Sequence, residues 1–321
     1  MTSVGPKVAV VLTCCNEGRY IGAAVRSILD QTRADLIESI VIADDGSDPE
    51  TISTLCDIQR WDSRIRLLLG GGGAGPSAQR NIAIANTVAP YIAILDGDDY
   101  WAPNKLELQL AALKGKVGLV YSGYYTFAWD DAGTAHLAPV RDITGEADLT
   151  RAYFLDDPPI IPSTILISRS AFDTCGGFDP SIRVFEDTDF CLRLSRTCRF
   201  SFVDAPLAYK RSNRSGTTGS RKDLLAHHAR VALKAASEEP RLLSLVPKRL
   251  AERARKLGNH RFLFGDSEEA RRLLRFALRL DPFNLRAWTS LIATFAMKGP
   301  LRRLFAAKLS ARRIAMGAIE R

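Results

Sequence analysis

Roughly the first 100 residues repeat one pattern, in which a short apolar run ends in polar residues and is followed by a helical periodicity. The four apolar runs are Val8–Leu12, Ser39–Ala43, Ile65–Leu69 and Tyr91–Leu95. Runs of this length, rich in β-branched residues, are typical of buried parallel strands. Strands that alternate with helices form a sheet covered on both faces, so the pattern predicts an α/β fold. The helices are expected at Tyr20–Asp30, Thr51–Gln59 and Ser77–Asn86.

Polar clusters follow three of these four strands. They are Thr13–Glu17 after the first strand, Asp44–Asp48 after the second and Asp96–Asp99 after the fourth. In open α/β sheets, ligands bind outside the carboxyl ends of the strands. We therefore expect the three clusters to meet at one edge of the sheet and to form the functional site.

The second half of the chain changes character. The 321 residues are enough for about two domains. Residues 241–321 carry 19 Lys and Arg against 6 Asp and Glu, whereas residues 1–240 carry 25 against 30. The apolar pattern predicts strands and then helices alone, which indicates an α/β domain at 1–220 and a basic helical region at 221–321. The later strands are expected at Gly118–Tyr125, Ile165–Ser168 and Phe200–Val203.

No apolar run reaches the roughly 18 residues of a membrane-spanning helix, and the N-terminus lacks a signal-peptide layout. The six cysteines form no C-x-x-C pair, so reduced thiols and a cytoplasmic location are expected.

Apolar and basic residues interleave over Leu301–Ile319. This leaves two interpretations open: peripheral contact with an anionic membrane, or an ordinary solvated helical face. Nucleic-acid binding is not expected, because the basic residues lack an aromatic stacking platform.

The segment Asp96-Gly97-Asp98-Asp99 is a candidate cation site. Mg²⁺ and Mn²⁺ prefer oxygen ligands and commonly bind a diphosphate through one or two carboxylates. Gly97 would leave the backbone open to close approach. The alternative is a solvated acidic turn, since Asp-Gly is a common turn pair.

Three segments of the N-terminal half are informative together: VAVVLTCCNEGRYIGAAVRSILDQT, IVIADDGSDPET and SAQRNIAIANTVAPYIAILDGDDYWAPNKLE. Their order and spacing resemble those of family 2 glycosyltransferases with a GT-A fold. Downstream, Gly176–Asp179 and Glu186–Phe190 are similar to the family's acceptor-side segment and its E-D motif. The resemblance covers residues 1–215. It implies a GT-A domain with a mainly parallel mixed sheet, followed by a helical C-terminal appendage.

The resemblance also implies a role for each matching residue. Asp45 would contact the base, Asp96 the ribose and Asp98 the metal ion, Mg²⁺ or Mn²⁺. Asp187 would be the general base, with Glu186 beside it as the second catalytic carboxylate. The implied nucleotide-binding residues are Thr13, Asn16, Glu17, Asp45, Arg80, Asp96 and Arg211, and the implied metal ligands are Asp98 and Asp96.

Simpler structural roles remain open for several of these residues. Asp48 has the position of an N-cap before Pro49. Glu186 and Asp187 are favoured in any case at a helix N-terminus, where the dipole attracts acids. The segment 209–215 contains no histidine, so a His metal ligand there is not expected. Its Arg211 and Arg214 would either pair with phosphate or belong to a solvated basic loop.

The implied reaction is an inverting transfer of a hexose from a nucleotide-diphosphate sugar, with UDP favoured, to a hydroxyl acceptor. The family implies acceptors in cell-envelope polysaccharide or glycolipid assembly, including lipid-linked glycans. Two alternatives differ in class. The run Gly70–Gly75 contains G-x-G-x-x-G and suggests a dinucleotide-dependent oxidoreductase, but Pro76 starts the helix after the third glycine. The second alternative is a catalytically inactive protein that acts through interactions with partners.

The helical region contains one further pattern. Gly265-Asp266, Glu269-Ala270 and Ala277–Pro282 are similar to a tetratricopeptide helix–turn–helix unit. One clear unit is visible, whereas stacked arrays need about three. A small helical appendage is therefore expected rather than a solenoid.

Overall fold

The computed structural model describes residues 6–128, 131–212, 223–263 and 265–296. Its contacts divide the chain into two compact units. The first unit comprises Met1–Tyr153 and Pro158–Arg214, and the second comprises Phe154–Asp157 and Ser215–Arg321.

The first unit contains a nine-stranded mixed sheet with the strand order β3-β2-β1-β4-β8-β6-β9-β5, and β7 pairs with β6. The strands are β1 (Val8–Cys14), β2 (Ile37–Asp44), β3 (Ile65–Leu69), β4 (Tyr91–Asp96), β5 (Tyr100–Trp101), β6 (Val117–Ala128), β7 (Asp131–Leu137), β8 (Leu166–Ser168) and β9 (Arg199–Ser212).

Helices alternate with the first four strands and then continue through the second unit. Those that begin in the first unit are α1 (Gly18–Leu29), α2 (Pro49–Gln59), α3 (Pro76–Ala85), α4 (Lys105–Ala112), α5 (Leu149–Asp156), α6 (Arg169–Cys175) and α7 (Glu186–Leu194). The others are α8 (Leu224–Glu238), α9 (Val246–Leu263), α10 (Ser267–Leu280) and α11 (Leu285–Ala296). Short 3₁₀ turns lie at Ala34–Leu36, Pro162–Thr164 and Pro240–Leu245.

The register of the central strands brings their carboxyl ends together. β1 lies between β2 and β4 and pairs parallel with both. Cys14 is opposite Asp44, and Thr13 is opposite Asp96. The polar clusters that follow β1, β2 and β4 therefore start at the same edge of the sheet, as the sequence predicts.

The antiparallel side of the sheet differs more from prediction. β9 runs for 14 residues, although the sequence indicated a strand only at Phe200–Val203. Its second half pairs with β6 and with the two-residue strand β5, beyond an irregularity where Gly123 is opposite Pro206. The sequence also missed β5, β7 and the helices α4, α5 and α6. These elements are short, or they depend on partners far away in the chain, so local periodicity does not reveal them.

The described part of the second unit is helical apart from the connections. Buried Ala251, Ala254, Ala277 and Leu278 form a small core between α9 and α10. Gly258 allows these helices a close approach, because a Cβ there would lie 2.9 Å from Leu274 Cγ. The tetratricopeptide likeness stays a prediction. Within the described ranges, every helix is too short or too polar to span a bilayer. The segment Leu301–Ile319 lies outside the described residues.

A buried ion cluster holds the segment Phe154–Asp157 within the second unit. Arg253 Nη2 lies 2.7 Å from Asp157 Oδ2, and Arg249 Nη2 lies 3.4 Å from Oδ1. Arg249 is fully buried and also donates to the Phe154 carbonyl oxygen. Burial alone would raise the pKa of Asp157, but the two guanidinium charges hold it below its usual value. Asp157 is therefore ionised at neutral pH.

We expect Asp157→Ala to lower the free energy of unfolding by about 3–5 kcal/mol, because it leaves two guanidinium groups without their counter-ion. Glu252→Ala is the matched control. It breaks a partly exposed pair with Arg255 on α9, and should cost less than about 1 kcal/mol. Urea unfolding at pH 7 measures both. The difference between wild type and Asp157→Ala should shrink in acid, where the carboxylate is protonated. Equal losses in the two variants would contradict a cluster that stabilises this unit.

Candidate active site

The three aspartates at the end of β2 and in the turn that follows it have different roles. Asp44 is fully buried and accepts hydrogen bonds from the Gly46 and Ser47 backbone N–H groups at 2.9 and 3.0 Å. Asp48 accepts from Thr51 N at 2.8 Å, which confirms it as the N-cap of α2. Asn16 connects this turn to β1, because its Oδ1 accepts from Asp48 N at 2.8 Å. Asp44 and Asp48 thus shape the turn and leave Asp45 to face the glycine loop, Gly70–Gly75.

Asp45 holds the glycine loop against the sheet edge. Its carboxylate accepts hydrogen bonds from Ala74 N, Gly75 N and Gln79 Nε2 at 2.8–2.9 Å. Burial would raise the pKa of Asp45, but these donors hold it below its usual value. Gly75 has φ 84°, and α3 begins at Pro76. Gly75, which takes the third glycine position of the G-x-G-x-x-G pattern, therefore lies outside the helix, unlike the corresponding glycine of a dinucleotide fingerprint.

The acidic turn, Asp96–Asp99, follows β4 and packs against the end of β1. Gly97 N donates to the Thr13 carbonyl oxygen at 3.2 Å, and Asp99 N donates to the Asp96 carbonyl oxygen at 3.0 Å. A Cβ on Gly97 would lie 2.8 Å from the Thr13 oxygen and would collide with the Glu17 carboxylate. Only glycine lets Thr13 and Glu17 approach the turn this closely.

The carboxyl groups of Glu17 and of the acidic turn form one corner of the site, and their charged forms repel one another. Burial, followed by the charges of the acidic turn, raises the pKa of Glu17 well above its usual value. Burial and then Asp96 raise the pKa of Asp98, and burial raises the pKa of Asp99 to about 8. Glu17 Oε2 is buried without a hydrogen-bond partner. These carboxyl groups therefore hold protons to higher pH than exposed carboxyl groups do, because their charged forms are both buried and mutually repelled.

Asp99 ties the acidic turn to β9. It accepts hydrogen bonds from Ser163 Oγ at 2.6 Å and from Arg211 N at 2.9 Å. The Arg211 guanidinium lies over the rings of Tyr20 and Phe127, at 4.2 and 4.7 Å, and its Nε donates to the Asp98 carbonyl oxygen. Arg211 is 9% exposed. The structure shows Arg211 supporting the acidic turn and buried, so it does not belong to a solvated loop, whereas its predicted contact with phosphate stays a prediction. Arg214 lies outside the described residues.

Lys210 is the cation that sequence reasoning missed. Burial alone would lower the pKa of Lys210, but the charges of Asp99 and Asp96 raise it above its usual value. Burial raises the pKa of Tyr124, and the charges of Lys210, Asp187 and Asp99 act on the same hydroxyl. Strand alternation was the available signal, because it puts Lys210 and Arg211 on opposite faces of β9. The sequence alone did not indicate which of the two faces the acids.

Asp187 lies in the first turn of α7, and the same lysine acts on it. Burial, followed by the charge of Glu186, raises the pKa of Asp187 to about 7, and Lys210 and Arg80 oppose this rise. Its Oδ1 accepts from Thr188 N at 2.7 Å. Asp187 and Asp99 thus both act on Lys210 and Tyr124. The base candidate and the acidic turn therefore border a common region.

Helix α3 connects these parts. Arg80 Nη2 lies 2.7 Å from Asp96 Oδ1, and its Nη1 lies 2.9 Å from Glu186 Oε1. Asn81 exchanges two hydrogen bonds with the Phe178 backbone, at 2.7 and 2.9 Å. Arg80 is thus buried between two carboxylates, and its predicted place near the nucleotide stays a prediction. Sequence reasoning did not anticipate the structural role of Asn81.

No three His, Cys, Asp or Glu side chains converge to hold a metal ion anywhere in the described ranges. The donor set of the acidic turn is nevertheless oxygen only, which suits a hard cation. Magnesium sites often use just one or two carboxylates and take their other ligands from substrate phosphates and water. Asp98, with an elevated pKa in a corner rich in acids, fits such a site.

The raised pKa of Asp187 predicts a cost in stability. The folded protein keeps this proton up to about pH 7, whereas an unfolded chain releases it near pH 4. Stability should therefore fall as the pH rises through this window. We expect Asp187→Asn to raise the thermal midpoint at pH 8 by a few degrees and to leave it unchanged near pH 4. Thermal scans from pH 4 to 8 test this, with exposed Asp173→Asn as the control. A lower midpoint for Asp187→Asn at pH 8 would contradict the burial of this charge.

Comparisons with known proteins identify the family. The model of glycosyl transferase family 2 matches residues 9–176, just over half of the chain. The UDP-Glc:alpha-D-GlcNAc-diphosphoundecaprenol beta-1,3-glucosyltransferase WfgD of Escherichia coli is 36% identical over 118 residues, which cover 36% of this chain and 45% of the relative. The putative teichuronic acid biosynthesis glycosyltransferase TuaG of Bacillus subtilis is 32% identical over 131 residues, which cover 40% and 51%. The chain thus spans about half the length of these relatives.

Solved structures share the fold. S. aureus TarS 1–349 in complex with UDP-GlcNAc has a TM-score of 0.62 and 15% identity, covering 90% of this chain and 89% of that one. The mannosyltransferase PcManGT of Pyrobaculum calidifontis, in complex with GDP-Man and Mn²⁺, has a TM-score of 0.61 and 16% identity, covering 98% and 86%. These likenesses support a GT-A α/β fold with a mixed sheet and C-terminal helices. On the family match, which spans just over half of its length, the chain belongs to glycosyl transferase family 2.

Proposed function

We propose that this protein is an inverting glycosyltransferase that moves a sugar from a nucleotide-diphosphate donor to a hydroxyl acceptor. One observation carries the proposal: Arg80 joins Asp96 of the acidic turn to Glu186, the neighbour of Asp187, at 2.7 and 2.9 Å. Burial and the charge of Glu186 raise the pKa of Asp187 to about 7. A general base works best when its pKa lies near the operating pH. The arrangement therefore puts a proton acceptor beside a site suited to a diphosphate and its cation.

The donor would bind at the carboxyl ends of β1, β2 and β4. Thr13 lies near the end of β1, and Asn16 and Glu17 follow that strand. These three residues would border the nucleotide, and Asp45 with the glycine loop would border the base. Asp96 would take the ribose. UDP is the favoured nucleotide, because TarS is described with UDP-GlcNAc and WfgD is named as using UDP-Glc.

A divalent cation, Mg²⁺ or Mn²⁺, would be held by Asp98, with Asp96 nearby and the donor diphosphate completing its ligands. When bound, it supplies Lewis-acid stabilisation of the departing diphosphate. Arg80 already occupies one oxygen of Asp96 at 2.7 Å, which makes Asp98 the main ligand in this proposal. PcManGT, which shares the fold, is described with Mn²⁺.

The chain's own residues would carry the proton and the charge. Asp187 accepts the proton of the acceptor hydroxyl while that oxygen forms a bond to the anomeric carbon. The bond from this carbon to the diphosphate oxygen breaks on the opposite face, and its electron pair leaves with the nucleoside diphosphate. A single displacement of this kind inverts the anomeric configuration. Lys210 faces the acids of the site and would stabilise the negative charge that develops on the leaving group.

The acceptor class comes from the relatives. WfgD is named for a diphosphoundecaprenol-linked sugar, and TuaG for teichuronic acid biosynthesis. An acceptor in cell-envelope polysaccharide or glycolipid assembly, such as a lipid-linked glycan, is consistent with both. Peripheral membrane contact through Leu301–Ile319, at the inner face of the membrane, remains part of the proposal and concerns residues outside the described ranges.

A donor screen tests the proposal directly. Thermal midpoints are measured with UDP-, GDP- and dTDP-sugars, with and without Mn²⁺. A UDP-sugar should raise the midpoint most, and Asp98→Asn should abolish the Mn²⁺-dependent part of the shift. Asp187→Asn should keep the shift and lose about 10²- to 10⁴-fold in kcat. Asp173→Asn serves as the exposed-carboxylate control. Normal turnover by Asp187→Asn would remove it as the base.

The pH profile gives a second test. Because Asp187 acts only when ionised, hydrolysis of the donor identified by the screen should fall about tenfold per pH unit below pH 7. Release of the nucleoside diphosphate is followed from pH 5 to 8.5 at saturating donor and Mn²⁺. The residual activity of Asp187→Asn should lack this acid limb. An acid limb that survives in the variant would assign it to another group.

A further inference from the structure

Arg80 is a buried guanidinium that joins two distant chain segments. One branch of its fork binds Asp96 at the end of β4, and the other binds Glu186 at the start of α7. Its side chain is only 4% exposed, and its guanidinium carbon lies 5.3 Å from the centre of the Phe178 ring. The residue therefore connects the donor side of the site to the helix that carries Asp187.

Only arginine meets this geometry. A guanidinium offers separate N–H donors on each branch of a planar, rigid fork, whereas lysine offers a single point charge on a flexible stem. The two contacts, 2.7 and 2.9 Å, use different branches and therefore set the two carboxylates relative to each other. A pair that is this well buried costs stability when one partner is removed, because the remaining charge stays in the interior.

The entry into α7 needs such a tether. Phe185 precedes the helix with φ 63° and ψ 33°, the left-handed region that a bulky residue rarely adopts, and it provides no side-chain cap. Strained backbone of this kind persists only where surrounding contacts hold it. Of the three acids in the first turn, Asp189 is paired with Arg193 and Glu186 with Arg80. Asp187 takes part in neither of these two ion pairs.

We propose that Arg80 is a positioning residue, and that Glu186 is its counter-ion rather than a second catalytic carboxylate. By holding Glu186, Arg80 fixes Asp187 relative to Asp96 and to the donor that binds there. This inference rests on the proposed function. A displacement of about 1 Å between reacting groups can cost about 100-fold in rate, so the tether acts mainly on kcat.

Three variants and a double variant of the full chain separate this role from simple structural support. Glu186→Gln loosens the tether but leaves Arg80 paired with Asp96. Arg80→Lys keeps the charge without the fork, and Arg80→Gln removes both. Arg169→Gln is the matched control. That partly buried arginine donates to the Ala89 carbonyl oxygen and the Thr87 hydroxyl at 2.8 and 2.6 Å, and neither partner is an acid.

The readouts are hydrolysis of UDP-glucose and UDP-GlcNAc with Mn²⁺, the affinity for UDP by calorimetry, and the thermal midpoint. Glu186→Gln should lower kcat by about 10- to 100-fold, with the affinity for UDP within about twofold of wild type. Arg80→Lys should show a similar kcat loss with a midpoint near that of wild type. Arg80→Gln should also weaken UDP binding, since Asp96 loses its partner. Arg169→Gln should lower the midpoint and leave kcat unchanged.

The double variant Arg80→Gln/Glu186→Gln should have a kcat no lower than Arg80→Gln alone, because both changes remove one tether. Wild-type kcat in Glu186→Gln, or losses that multiply in the double variant, would overturn the proposal. If the wild type hydrolyses neither sugar, the proposed donor is wrong. The thermal midpoints of the single and double variants then test whether Arg80 and Glu186 act as one tether. If the double variant lowers the midpoint by less than the sum of the two single variants, the tether between Arg80 and Glu186 is supported. Additive losses of midpoint would reject it.

Discussion

The whole site depends on how buried negative charge is balanced by a few fixed cations. Glu17, the acidic turn and the first turn of α7 all bring carboxylates to one edge of the sheet, and burial disfavours every charged form. Arg80 neutralises two of these acids directly through the contacts to Asp96 and Glu186. Lys210 balances part of the rest through space. Without these interior cations, the acids that the chemistry needs would oppose folding, since an unpaired buried charge is strongly destabilising.

Helix α3 turns this charge balance into geometry. Within five residues it donates from Ser77 to the Ile182 carbonyl oxygen, from Gln79 to Asp45, from Arg80 to two acids, and from Asn81 to the Phe178 carbonyl oxygen. Each bond reaches a different segment of the site. The loops that carry function are thus held by one rigid element, and the first turns of α3 set the position of Asp45 and Asp96 relative to α7. Rigid elements hold such groups more accurately than loops do.

Much of the fold was predictable from the sequence, because the signals there are local. The runs Val8–Leu12 and Ile65–Leu69 are strands on β-branched and apolar content alone, and strand order then forces their carboxyl ends to one edge. The cap at Asp48 also follows from its neighbours, since it precedes Pro49. The part of the fold that the sequence did not predict depends on partners that are distant in the chain. The second half of β9 is polar and contains Pro206, and it is a strand only because β6 and β5 supply its hydrogen bonds.

The same distinction separates site residues that could be found from those that could not. An acidic turn is visible as a string of letters, and the family resemblance assigns a role to Asp187. Whether a cation faces those acids depends on the face of a strand or helix, and a single residue of register decides between Lys210 and Arg211. The basic residue nearest the acids in sequence need not be the one that balances them in space. Arg80 lies on a different element from both of its partners, yet it ends buried between them at hydrogen-bonding distance. The chemistry of such a site can therefore be predicted only when the packing of α3 is known. That packing depends in turn on the two acids with which Arg80 forms its ion pairs.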